Sequence, residues 1–238
     1  MPTKRIQLFL LPYAGGSSAS FRRLTDRLDG RIEAITVEYS GRCTRSREPL
    51  AGSFLEMLAD AGEYCLVCRD SGLPYAIMGY SMGSIIAYEL TVQRKLPGEQ
   101  KHLFLAAEVS PKDRALELQK VENPTDEHIL ERARRLGGFD ERMLQNERFA
   151  QVFIRPMLSD YRNFFSYRFS GCDERCGVDA TVLYSESDTA FADVQKWDEL
   201  MEGTPDYYAF SGGHFFINQH YEELADIINR KLSCCMDC

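Results

Sequence analysis

The 238-residue chain is predicted to be an α/β protein, with a mostly parallel sheet covered by helices on both faces and a helical lid inserted at about 111–171. Three observations predict this. Short, almost continuously apolar runs recur along the chain, as expected of strands buried on both faces. Amphipathic segments alternate with them, in the order of parallel crossover units. Hydrophobic residues make up 44% of the sequence, an ordinary share for a chain long enough to bury most of its apolar surface. We expect a single domain over residues 1–238, with no internal repeat, low-complexity segment or linker.

The first strand is read over 6–12. Lys4 and Arg5 ahead of it give a faint look of a secretory leader, but Gln7 interrupts the apolar run, Pro12 ends it and no Ala-x-Ala site follows. Strands are then expected at 32–39, 75–80, 102–109, 180–185 and 207–210, and helices at 21–28, 54–70, 83–95, 194–201 and 215–232. From 111 to 171 only helical signals occur. Asn123-Pro124-Thr125 opens a helix with Ile129, Leu130, Ala133 and Leu136 on one face, and Gly137-Gly138 ends it. A second, from about Asp140, brings Met143 and Leu144. A third carries Phe149, Val152, Phe153, Met157, Tyr161, Phe164 and Phe165, with a kink expected at Pro156.

Charge narrows the partners. With 28 Lys plus Arg against 36 Asp plus Glu, the net charge is −8, and no basic face is available to displace counterions from a nucleic acid. No apolar run approaches the roughly 20 residues of a membrane-spanning helix, so no membrane partner and a cytoplasmic location are expected. The lid segment holds 11 basic and 10 acidic residues, leaving 17 against 26 elsewhere, which makes it the least acidic part of the molecule. Eight cysteines are present. Cys65 and Cys68 sit one turn apart on a helix, Cys172 and Cys176 flank an acidic loop, and Cys234, Cys235 and Cys238 crowd the end. This scatter does not form paired zinc knuckles, and a chain of this size does not depend on disulfide staples. Reduced thiols and no metal are expected.

The chemistry concentrates at Gly79-Tyr80-Ser81-Met82-Gly83, a G-x-S-x-G between a strand and a helix. That context resembles the nucleophile elbow of α/β-hydrolases rather than an incidental Gly/Ser turn: small residues two before and two after would let strand and helix approach, and the serine would project above the sheet. A serine hydroxyl needs a positioned base, expected on a loop after the last strand. Of four histidines, only His214, in Ser211-Gly212-Gly213-His214-Phe215-Phe216, occupies such a loop; His102, His128 and His220 fall within predicted elements. The orienting acid is expected after the fifth strand, where Asp188 is the first choice and Glu186 and Asp193 the alternatives. Ser81 would attack an acyl carbonyl, His214 would take and return the proton, and Asp188 would fix the imidazole tautomer. The oxyanion donors are expected to be the backbone N–H groups of Met82 and, from the loop Pro12-Tyr13-Ala14-Gly15-Gly16, of Ala14.

Taken together, these residues resemble the type II thioesterases, the stand-alone editing hydrolases of polyketide and nonribosomal peptide assembly lines. The match runs almost end to end. It includes Leu10-Leu11-Pro12-Tyr13-Ala14-Gly15-Gly16, Gly41-Arg42, Gly79 to Gly83 and Leu136-Gly137-Gly138, then Arg155-Pro156-Met157-Leu158-Ser159-Asp160, Asp188, Trp197 and Gly213-His214-Phe215-Phe216. The chain departs at Tyr80, Ser40 and Ser185, where the family usually has His, Pro and Gly. The resemblance implies hydrolysis of acyl thioesters on the phosphopantetheine arm of acyl-loaded carrier proteins, with Ser81, Asp188 and His214 as triad and no cofactor beyond the arm itself. It also implies a lid that shapes the acyl pocket, for which Phe149, Phe153, Phe164 and Phe165 are candidates, although helical spacing favours core packing for most of them. A solvated mixed-charge helical face explains the lid's charge without a partner. For an acidic carrier the near-neutral lid would be the least repulsive docking side, to be tested by reversing charges such as Arg134, Arg135 or Arg142. A monomer is the default, and a small-molecule carboxylesterase of the same fold, or a noncatalytic binding relative, is the competing reading.

Overall fold

The computed structural model describes residues 5–121, 123–138, 146–169, 171 and 175–237, without the side chains of Phe149, Phe191 and Asp237. Six strands, β1 (Ile6–Leu11), β2 (Ile32–Thr36), β3 (Tyr75–Tyr80), β4 (Gln100–Ala106), β5 (Ala180–Ser185) and β6 (Asp206–Phe210), form one sheet. Their spatial order is β2-β1-β3-β4-β5-β6, and each neighbouring pair is parallel. All carboxyl ends therefore share one edge, and the order reverses between β1 and β3. In open sheets of this kind the crevice at such a switch point receives the ligand.

Period-2 alternation along the strands builds two cores. Phe9, Leu11, Tyr75, Ile77, Leu103, Leu105 and Val182 belong to one, with Phe54, Met57 and Leu58 of α1 (Phe54–Cys68) and Ile85 and Ile86 of α2 (Met82–Val92). Leu8, Leu10, Ala76, Met78, Phe104, Ala106 and Leu183 belong to the other, with Leu224, Ile227 and Ile228 of the terminal helix. Gln7, which interrupts the first apolar run, is fully buried: its amide donates to Glu33 and to the Cys68 carbonyl, while Oε1 accepts from Arg69 and the Asp70 N–H.

The lid segment contains α3 (Pro111–Leu118), α4 (Asp126–Arg135) and α5 (Arg155–Phe165). Ser110 caps α3, with Pro111 at its start, and Thr125 caps α4. Ile129 and Ala133 of the predicted apolar face are buried. Just ahead of α5, where a kink at Pro156 is expected, a π-helical turn spans Ala150–Ile154. Pro156 has no N–H for the carbonyl four residues back, and the wider turn absorbs that loss. The turn also shifts the helical phase, and Val152, expected on the apolar face, is 58% exposed. The helix expected from Asp140, with Met143 and Leu144, lies outside the described residues, as do Arg142, Cys172 and Cys238.

Three expected helices differ in kind or extent. The segment 21–28 is a 3-10 turn (Ser18–Phe21), started by a capping box at Ser17 and Ser20, followed by a single α turn (Arg22–Thr25). Residues 194–201 are mainly 3-10 helix (Gln195–Leu200) after a short α turn (Phe191–Val194). The terminal helix, α6 (Tyr221–Asp237), starts six residues later than expected because 215–220 are used in tight turns. Among the described residues, Cys43, Cys65, Cys68 and Cys234 are unbridged. Among the described residues no helix is long and apolar enough to cross a membrane, and no group of three or more His, Cys, Asp or Glu is placed to hold a metal.

Candidate active site

Ser81 stands between β3 and α2 with φ 53° and ψ −125°, a strained backbone that side-chain-bearing residues seldom adopt. The neighbouring glycines make it possible. A Cβ on Gly79 would lie 2.2 Å from the Gly83 carbonyl oxygen, and one on Gly83 would lie 2.1 Å from that of Leu11. The Ser81 N–H donates to the Ala106 carbonyl at 2.7 Å, and the Ser84 hydroxyl donates to the same oxygen at 2.9 Å, so the elbow is bound to the end of β4.

His214 lies on the loop after β6 and is 7% exposed. Its Nε2 is 2.9 Å from Ser81 Oγ, and its Nδ1 is 2.8 Å from Asp188 Oδ2. Asp188 sits in a turn closed by its own N–H and that of Thr189, both donating to the Ser185 carbonyl. Residues far apart in the chain thus form one line, hydroxyl to imidazole to carboxylate. The alternatives Glu186 and Asp193 are exposed, and Asp193 faces Lys196. Of the other histidines, His102 is buried against Thr181 Oγ1 at 2.8 Å, His128 is exposed, and His220, just ahead of α6, bonds Ser211.

The loop 12–16, after β1, is held at several points. The Tyr39 hydroxyl donates to the Pro12 carbonyl at 3.0 Å, and Gly16 N–H closes a turn on Tyr13. Gly15 N–H donates to Asp160 Oδ2 at 2.7 Å. Asp160, on α5, forms a bidentate pair with Arg42 at 2.6 Å for each bond, and Arg42 also donates to the Gly16 carbonyl at 3.1 Å. Both side chains are almost completely buried. Gly15 has φ +79°, and a Cβ there would lie 2.7 Å from Met157 Cβ, so α5 rests directly on this loop. The pair leaves no local signal in the sequence: 118 positions separate its members, and only their place in family-like motifs marks them. Met82 opens α2, so its N–H has no intrahelical acceptor.

The aromatic lid candidates are placed as follows. Phe164 is buried and stacks on Phe54 with centroids 6.1 Å apart, inside the main core. Phe153 and Phe165 pack half-buried against that core, and the Phe149 side chain lies outside the described set. A second buried ion pair, Glu108 with Arg114, sits beside the end of β4, and Trp197 donates to the Glu108 carbonyl at 3.1 Å. Of the departures from the resembling family, Ser40 uses its N–H to donate to Asp60 at 3.1 Å, a bond proline cannot make.

A thioesterase domain model matches residues 6–232. Thioesterase PikA5 of Streptomyces venezuelae is 29% identical over 97% of this chain and 82% of its own length. The gramicidin S biosynthesis protein GrsT of Aneurinibacillus migulanus is 24% identical over 96% and 89%. Among solved structures, ClbQ from the colibactin NRPS/PKS pathway superposes with a TM-score of 0.84 at 24% identity, covering 97% of this chain and 98% of its own. The type II thioesterase BorB from the borrelidin cluster superposes with 0.78 at 24% identity, over 98% and 94%. At these identities the structural likeness is one of fold.

Proposed function

We propose the following function from the premise that this chain belongs to the thioesterase family. The enzyme is a thioester hydrolase, and its substrates are acyl groups on the phosphopantetheine arm of carrier proteins in polyketide or nonribosomal peptide synthesis. It acts by clearing stalled or misloaded groups, as a type II thioesterase. The observation that carries the reading is the Ser81–His214–Asp188 line on a strained elbow.

In the proposed reaction His214 Nε2 accepts the Ser81 proton as Oγ attacks the thioester carbon. Asp188 holds the Nδ1–H tautomer and stabilises the imidazolium. The oxyanion is met by the N–H groups of Met82 and Ala14. Collapse breaks the C–S bond, His214 returns the proton to the departing thiolate, and an acyl-serine remains. Water, deprotonated by His214, then releases the carboxylic acid and restores Ser81. No step calls on a cofactor beyond the arm carried by the substrate.

The test is intact mass of acetyl-, propionyl- and hexanoyl-loaded carrier protein, incubated with wild type and with Ser81→Ala. Loss of the acyl mass with wild type alone is the expected result, and the relative rates rank acyl preference. A carrier that stays loaded while a simple p-nitrophenyl ester is cleaved would transfer the assignment to a small-molecule carboxylesterase.

A further inference from the structure

Two of the departures from the resembling family, Tyr80 and Ser185, converge on one short stretch of backbone. Tyr80 immediately precedes Ser81, and Ser185 ends β5, three residues before Asp188. The Tyr80 hydroxyl donates to the His214 carbonyl at 2.6 Å, and the Ser185 hydroxyl donates to the Gly212 carbonyl. The rest of the loop satisfies itself: Phe216 N–H donates to the Gly213 carbonyl, Asn218 N–H to Phe215, and Gln219 N–H to Phe216. The two carbonyls assigned to side chains are those flanking Gly213. A glycine at 185 would have no hydroxyl for the second bond.

We infer that Tyr80 and Ser185 are positioning residues, a two-point clamp that ties the 212–214 backbone to the nucleophile's strand and to the acid's turn. The inference rests on the triad proposed above. Gly212 has φ +93° and adds no side chain to hold the loop. Without outside donors the imidazole would ride on a flexible turn. With them, the elbow, the acid and the base become one hydrogen-bonded unit. Ser185 serves both partners, because its carbonyl accepts the N–H groups of Asp188 and Thr189 while its hydroxyl holds Gly212. Tyr80 is fully buried, packed in edge or tilted contact with Tyr13, His214 and Phe216. Burial, reinforced by the Asp188 charge against a weak bond from Ile217 N–H, pushes its phenol well above the ordinary value, so it stays a donor.

The test uses Tyr80→Phe, Ser185→Ala, the double variant and Ser185→Thr, assayed on a small acyl-pantetheine thioester. Displacing a base by a fraction of an ångström costs rate rather than binding, so kcat should fall about 10- to 100-fold in each single variant. KM and melting temperature should stay near wild type, and the acid limb of the kcat/KM profile should move. The double variant should lose less than the product of the two, as expected for groups acting on one segment. Ser185→Thr, which restores the hydroxyl, should recover most of the rate. The clamp is overturned if both single variants keep kcat and the pH profile of the wild type, or if lost rate merely tracks lost folded protein. Should Tyr80→Phe fail to fold, the Ser185→Ala and Ser185→Thr pair decides alone. Ser81→Ala and His214→Ala serve as controls: wild-type turnover in either would sink the triad reading itself, and the clamp with it.

Discussion

Ser81 combines backbone strain with close contact on both sides, and the three polar side chains meet because each follows the carboxyl end of a strand of one parallel sheet, Ser81 directly and Asp188 and His214 on the turn and loop beyond. The proposed role of Asp188 is electrostatic and tautomeric rather than acid–base, so it admits a sharp check. Asp188→Asn should keep the fold and KM but lower kcat by up to about 10⁴-fold, read in steady-state kinetics. A drop under tenfold would point to another orienting group. His102 offers a different prediction, one of stability. Burial first, then the Lys231 charge, pulls its pKa down to about 4, against opposing Asp179 and Asp206. The folded state therefore holds a neutral imidazole where the unfolded chain, with an ordinary histidine, takes up a proton. The stability this confers is complete above about pH 6.5 and lost as pH falls toward 4, because there the unfolded state binds more protons. Melting temperature against pH should show that slope in wild type, and His102→Gln should flatten it.

Among the secondary-structure elements, α5 does more than cover the sheet. Its Asp160 reaches down to Gly15 N–H and to Arg42 and so links the lid to the loop that carries Ala14. Asp160→Asn would leave a buried guanidinium without its counter-charge, which costs about 3–5 kcal/mol. We expect a clear fall in melting temperature and, in the fraction that still folds, a lower kcat through the displaced loop. Replacing Arg42 and Asp160 together with apolar residues of similar size should restore much of the stability but not the rate. Rate recovery in that double variant would show that the pair serves the fold alone. The π turn before α5 follows the same logic, since a proline that cannot donate is accommodated by changing the helix rather than breaking it.

Over the whole chain, charge is divided unevenly, with a near-neutral lid segment on an acidic body. A carrier protein of acidic surface would meet least repulsion on the lid side, where Arg135 is exposed. Arg135→Glu should slow turnover of a loaded carrier several-fold while leaving a free acyl-pantetheine thioester unaffected, and added salt should narrow the gap. Equal rates on the carrier would remove the lid from the docking surface. The sheet, its two covering layers and the helical insertion were legible in the chain because buried strands and amphipathic helices impose periods on composition. Ser81 and His214 were legible because a strained elbow and a glycine-flanked loop leave local signatures. Choosing Asp188 over Glu186 and Asp193, joining Arg42 to Asp160, and directing Tyr80 and Ser185 onto the His214 loop required the folded arrangement. Each of those depends on hydrogen bonds between residues from 26 to 134 positions apart, whose distance and direction exist only once the strands are assembled side by side.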